Sequence, residues 1–140
     1  MIIADTGFWL AIANRRDRHH ARALEALVTV REKLVTTWPV MTETCHLLQS
    51  QLGVQAEIAF VRSARDGAFE IRPLPETHLD RIATLMEAYA DLPMDLADAS
   101  LVILAEELGA GRILSTDQRD FRAYRWKNRK PFENVLLPDH

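Results

Sequence analysis

The sequence predicts an α/β fold: a parallel sheet of four to five strands flanked by helices on both faces, in a single domain spanning residues 1–140. Three observations carry this expectation. Short apolar runs alternate with longer segments whose apolar residues recur at helical spacing. A chain of 140 residues, 48% of them hydrophobic, suffices for one core and does not require a second. Acidic residues interrupt apolar stretches where strands end, and parallel sheets collect their ligands at those ends.

Met1, Ile2, Ile3 and Ala4 read as a short buried strand, and Asp5 or Thr6 is placed to cap a helix reaching about Asn14. Phe8, Trp9, Leu10 and Ile12 put large apolar groups on more than one side of that helix, so part of its surface is expected to bind another chain. A second helix starts near His19, with Leu24, Leu27 and Val28 as its apolar stripe, and Leu34 to Thr37 follow as a strand. Pro39 suits a first helical turn; Val40, Thr44, Leu47 and Leu48 then share one side of a helix ending near Gly53. Val54, Ile58, Val61 and Arg65 mark a fourth helix, stopped at Gly67. Phe69 to Leu74 is the third strand, closed by two prolines. Leu79, Ile82, Ala83, Met86, Tyr89 and Ala90 define the clearest amphipathic helix. A sixth begins around Asp95 and ends before Gly109 or Gly111. Ile113 and Leu114 form a fourth strand, and Val135 to Leu137 a short edge strand.

No apolar run approaches the length of a membrane span, and Asp5 breaks any signal-peptide pattern, so the expected compartment is the cytoplasm, with no membrane partner. The lone Cys45 excludes an internal disulfide and a cysteine-based zinc cluster within one chain. Adjacent His19 and His20 point about 100° apart on a helix and make a poor metal pair. The net charge of −3 hides an uneven distribution. Arg119, Arg122, Arg125, Lys127, Arg129 and Lys130 interleave with Phe121, Tyr124 and Trp126, a pattern that offers phosphates a positive rim and bases a stacking surface. Arg15, Arg16, Arg18 and Arg22 form a smaller cluster. A solvated charged surface is the simpler explanation of either.

Four acids stand in apolar settings. Asp5 closes a strand and Asp117 follows another. Glu43 shares a helical face with Val40 and Leu47, and Asp98 precedes Leu101 and Val102 by three and four residues in a nearly all-apolar helix. Singly, each has a plainer role: Asp95 and Asp98 have capping-box spacing, Asp5 can cap a helix, and Asp117 can make an Asx turn. Jointly, converging buried carboxylates need a divalent cation to balance them. Hard oxygen ligands select Mg²⁺ or Mn²⁺, whose chemistry with water and phosphate oxygens is phosphodiester hydrolysis. Asp5 and Asp98 are the expected principal ligands, with Glu43 and Asp117 acting directly or through water. Such a route does not use the ribose 2′-hydroxyl as nucleophile and leaves a 5′-phosphate and a 3′-hydroxyl.

The ordered set Ile2-Ile3-Ala4-Asp5-Thr6, Thr42-Glu43, Asp98-Ala99-Ser100-Leu101 and Ser115-Thr116-Asp117-Gln118-Arg119-Asp120-Phe121 resembles a PIN domain. More narrowly it is similar to the VapC-type toxins, small bacterial and archaeal ribonucleases neutralised by a cognate antitoxin. The resemblance implies a metal-dependent endoribonuclease of a toxin–antitoxin pair, with Mg²⁺ or Mn²⁺ as cofactor and RNA as substrate. It also implies a homodimer and an antitoxin whose C-terminal segment covers the active site. Residue by residue it assigns the four acids to Asp5, Glu43, Asp98 and Asp117, with Asp120 as the alternative fourth. Thr6 and Ser115 or Thr116 match pocket hydroxyls, and Arg119, Arg122, Arg125 and Lys127 are the expected RNA contacts. A phosphoaspartate enzyme would need an acid where Gly7 stands, and a receiver-like domain a lysine after Leu114. The remaining rival is a non-catalytic nucleic-acid-binding or regulatory domain in which the acids only cap and turn.

Overall fold

Strand formation begins at β1 (Ile2–Ala4), apolar and buried at every position, as a strand with neighbours on both edges must be. The computed structural model describes residues 1–138. From β1 the chain runs through α1 (Thr6–Ala13) and α2 (His20–Thr29) to β2 (Leu34–Thr37), then through α3 (Trp38–Leu52) and α4 (Val54–Arg65) to β3 (Glu70–Arg72). A 3₁₀ turn (Glu76–His78), α5 (Leu79–Ala88) and α6 (Leu96–Leu108) lead to β4 (Arg112–Leu114). After α7 (Gln118–Ala123), β5 (Arg125–Trp126) and β6 (Lys130–Pro131) make a small antiparallel hairpin before β7 (Glu133–Asn134).

The main sheet has the order β3-β2-β1-β4-β7 and is parallel throughout, with Ile2 opposite Leu34 and Ile3 opposite Ile113. The chain leaves β1 toward β2 and β3, then returns to its other side with β4. The order therefore reverses between β1 and β4, where a parallel sheet opens a crevice at its carboxyl ends. The core helix is α6, which is buried from Ala99 to Ala105 and packs on β1 and β2. Gly109 ends it in the left-handed conformation (φ 68°), which a side chain would strain. No helix among the described residues is long and apolar enough to cross a membrane.

Four expectations are corrected. Leu24, Leu27 and Val28 are exposed, and α2 instead packs through buried Ala23 and Ala26, whose small side chains let the helix lie close. Phe8 and Trp9 are buried within the chain: Trp9 meets Phe60 and Phe69 at ring-centroid distances of 5.5 and 4.3 Å. Packed against α2 and α3, α1 spends Phe8 and Trp9 internally, so these two do not form the expected surface for another chain, while Leu10 and Ile12 are half-buried. The third strand is only Glu70–Arg72, since Pro73 and Pro75 lack the N–H needed for a ladder. The last strand lies at Glu133–Asn134, not Val135 to Leu137: Asn134 Oδ1 accepts from the amides of Leu136 and Leu137, both at 3.2 Å, and turns the chain out of the sheet.

Candidate active site

Each acid is set by a different element, and all approach the carboxyl ends of β1 and β4. Asp5 follows β1 with an extended backbone and N-caps α1. Its Oδ1 accepts from Thr6 N at 2.7 Å and its Oδ2 from Ser115 Oγ at 3.0 Å. Ser115, buried at the end of β4, also accepts from Asp117 N at 2.9 Å, so one hydroxyl couples two acids. Asp117 N-caps α7 through Asp120 N at 3.1 Å. Asp98 and Asp95 form a reciprocal capping box at the start of α6, with Asp98 N to Asp95 Oδ1 at 2.8 Å and Asp95 N to Asp98 Oδ2 at 3.3 Å. Glu43, half-buried, comes from the second turn of α3. Thr6 Oγ1 is buried and outside hydrogen-bond geometry, yet close enough to Glu43 to favour its charged form. Packing of Gly7 under Thr116 keeps this junction tight, since a Cβ there would run into Thr116 Oγ1.

Capping and convergence are therefore both true of these residues, and electrostatics separates them from ordinary caps. Asp5 is only 8% exposed, and its carboxyl is pushed up to about 7, first by burial and then by the charges of Glu43 and Asp117, against the pull of Thr6 N–H and Ser115. Burial, then Asp95 and Asp5, push Asp98 up to about 8. Glu43 is raised by burial and by Asp95. Asp120 is raised to about 6 by burial and its contact with Asp117, with Arg119 opposing. The acids thus sense one another across four elements. Among the described residues they do not close into a ready-made shell of three metal ligands.

The PIN domain family model matches residues 2–127, nearly the whole chain. The chain belongs to the PIN domain family. Ribonuclease VapC26 of Mycobacterium tuberculosis (strain ATCC 25618 / H37Rv) is 31% identical over 124 residues, covering 89% of this chain and 92% of that protein. The crystal structure of VapC20 of Mycobacterium tuberculosis, a Sarcin-Ricin loop cleaving toxin, superposes with a TM-score of 0.79 at 18% identity, covering 85% of this chain and 92% of that one. The likeness extends to the fold, and in this chain the PIN domain's sheet of five parallel strands carries the acidic end.

In this PIN domain the basic segment does not form the expected stacking surface. Phe121, Tyr124 and Trp126 are all buried, and ring contacts of 5.3 Å between Phe121 and Tyr124 and 5.2 Å between Phe121 and Phe132 place them in the core. The interleaving arose from alternate inward and outward residues. Arg125 turns its Nη1 back onto the carbonyls of Arg122, Ala123 and Tyr124, at 2.8 to 3.2 Å, and so caps the end of α7. Lys127 and Lys130 lie over the Trp126 ring. Arg119, Arg122, Lys127 and Arg129 remain exposed as a cationic rim.

Two positions were missed from sequence. The buried Tyr124 hydroxyl donates toward Asp98 Oδ2 at 3.4 Å and Pro93 O at 3.3 Å, and burial with the neighbouring carboxylates holds the phenol protonated. Asn134 brackets Ser115, accepting from its N at 3.3 Å and donating to its O at 3.0 Å. A tyrosine 26 positions from Asp98 and an asparagine in a terminal segment carry no local signal of either role.

Proposed function

We propose that this PIN domain is a Mg²⁺- or Mn²⁺-dependent endoribonuclease, the toxin of a toxin–antitoxin pair acting in the cytoplasm. The observation that carries the reading is the pair formed by buried Asp5 and half-buried Asp98, each held far above ordinary carboxylate values, first by burial and then by neighbouring acids. Such a pair is unfavourable unless a cation joins it. The donor set suits a hard divalent ion, and an incomplete protein shell suits one that keeps several waters and leaves room for phosphate oxygens. Similarity to VapC26, named a ribonuclease, supports RNA as substrate and an antitoxin as partner. The proposal includes a homodimer as the working unit, which rests on the family resemblance of the sequence alone.

Asp5 and Asp98 would hold the ion, with Glu43 and Asp117 completing its environment directly or through water. When bound, the ion supplies a Lewis acid for the phosphoryl group and lowers the pKa of the attacking water. The chain supplies geometry. Ser115 and Thr6 N–H fix both oxygens of Asp5. Asp98 receives its hydrogen bonds on Oδ2 and leaves Oδ1 without one. Asp120, raised to about 6, is placed beside Asp117 to take up a proton near neutrality.

Incubating RNA with the purified protein and Mn²⁺ should give fragments with 5′-phosphates, and EDTA should stop the reaction. Mn²⁺ should also raise the melting temperature of the wild type but not of Asp98→Asn. Cleavage undiminished in Asp98→Asn, with contaminating nucleases excluded, would sink the reading.

A further inference from the structure

A cavity of about 700 Å³ adjoins the acids and shares Glu43 with them, while its other walls take no part in the chemistry above. Its α3 wall is Trp38, Thr42, Glu43 and His46; Leu74, Asp95 and Leu96 face them. Trp38 is 56% exposed and is the one exposed aromatic side chain among the described residues. It stands at the first position of α3, directly after β2, with Pro39 stiffening the turn that presents it. Thr42 and His46 follow at intervals of four, so the three side chains form a line along one helix face, and Glu43 ties that line to the acid cluster.

Resting on the ribonuclease reading, we infer that this cavity is a subsite for an unpaired nucleobase next to the scissile phosphate, with Trp38 as its stacking platform. The charge of the walls selects the occupant. Glu43 and Asp95 repel a phosphate but accept hydrogen bonds from the amino groups of adenine, cytosine or guanine. The indole offers any base an apolar face, and half of that face is already wet. The volume accommodates one nucleoside, a group well inside the usual range of ligand cavities. The basic segment cannot serve in its place, because its own aromatic rings lie in the core.

The test uses the full chain with Asp98→Asn to prevent cleavage, and a short single-stranded RNA as probe. Trp9 and Trp126 are buried, so quenching of indole fluorescence on RNA addition should come from Trp38 and vanish in Trp38→Ala. In the active protein Trp38→Ala should lower kcat/KM on RNA about tenfold to a hundredfold more than on the same oligonucleotide made abasic beside the scissile phosphate, which has no base to stack, and Trp38→Phe should recover most of the loss. Quenching that persists in Trp38→Ala, or equal losses on the two substrates, would overturn the subsite. A change of oligomeric state in Trp38→Ala would overturn it too, showing that the indole faces protein. Failure of the wild type on both substrates would instead refute the ribonuclease reading beneath it.

Discussion

The acidic end of the sheet and the segment from Arg119 to Lys130 present the same pattern in sequence, charged residues set among apolar ones, and the fold treats them oppositely. At the sheet end the charges go inward. Asp5 is buried within reach of the charges of Glu43, Asp117 and Asp98, and burial together with those charges raises its pKa to about 7. In the C-terminal segment the apolar members go inward, and the cations stay at the surface, with Arg125 turned to backbone carbonyls. A buried charge is held at a cost to stability and so marks a site, whereas an exposed one costs almost nothing and marks little by itself. The contrast assigns chemistry to the first region and, at most, attraction of a polyanion to the second.

The strongest way to break this comparison is to neutralise the buried acids in the metal-free protein. Asp98 has a folded pKa near 8 and an ordinary value of 3.8, so between these values the folded chain keeps a proton that the unfolded chain has lost. Protons therefore stabilise the fold across that window, and the contribution is lost as pH rises through about 8. Asp5 adds the same trend up to about 7. In EDTA the wild type should melt several degrees lower at about pH 8.5 than at about pH 5.5 through these groups. Asp98→Asn should flatten the dependence and stabilise the alkaline apo protein, because every hydrogen bond to that side chain falls on Oδ2 and an amide can replace Oδ1 freely. Asp5→Asn should stabilise less, because both of its oxygens accept. If both variants melt below the wild type at high pH, the acids are ordinary caps.

A smaller effect sharpens the picture of the acidic end. Tyr124→Phe removes the hydroxyl that faces Asp98 while keeping the ring contacts with Tyr89 and Phe121 at 5.0 and 5.3 Å. Thermal stability should fall by about 1 kcal/mol or less, while the apparent affinity for Mn²⁺ changes roughly tenfold, as expected of a group that orients a ligand. Titration of the melting temperature with Mn²⁺ reads both quantities, and an unchanged affinity would make Tyr124 a core residue only.

The smallest effect belongs to the basic segment. Lys127→Ala with Arg129→Ala should weaken RNA binding across sequences and reduce the slope of log affinity against log salt by about one to two, without changing cleavage at saturating RNA. Arg125→Ala should instead destabilise the fold by roughly 1 kcal/mol through loss of its carbonyl contacts, with no matching change in that slope. An unchanged slope in the double variant would remove the cationic rim from RNA binding and leave the acidic site untouched.

The sequence by itself determined the alternation of strands and helices, the boundaries set by Pro39, Gly53 and Gly109, and the identity of the acids in apolar surroundings. Those are local matters: periodicity, backbone stereochemistry and the cost of a carboxylate in an apolar run act within a few residues. Tertiary structure alone decided which face of α2 packs, where the last strand pairs, and that the rings of Phe121, Tyr124 and Trp126 turn inward. It also decided that Ser115 joins Asp5 to Asp117, that Tyr124 reaches Asp98, and that Trp38 stands exposed beside Glu43. Ser115 meets Asp5 across 110 positions and Tyr124 meets Asp98 across 26, and one side of a helix or strand becomes inside only when another element covers it. Local pattern states what a residue can do; the neighbour that arrives from far along the chain selects which of those things it does.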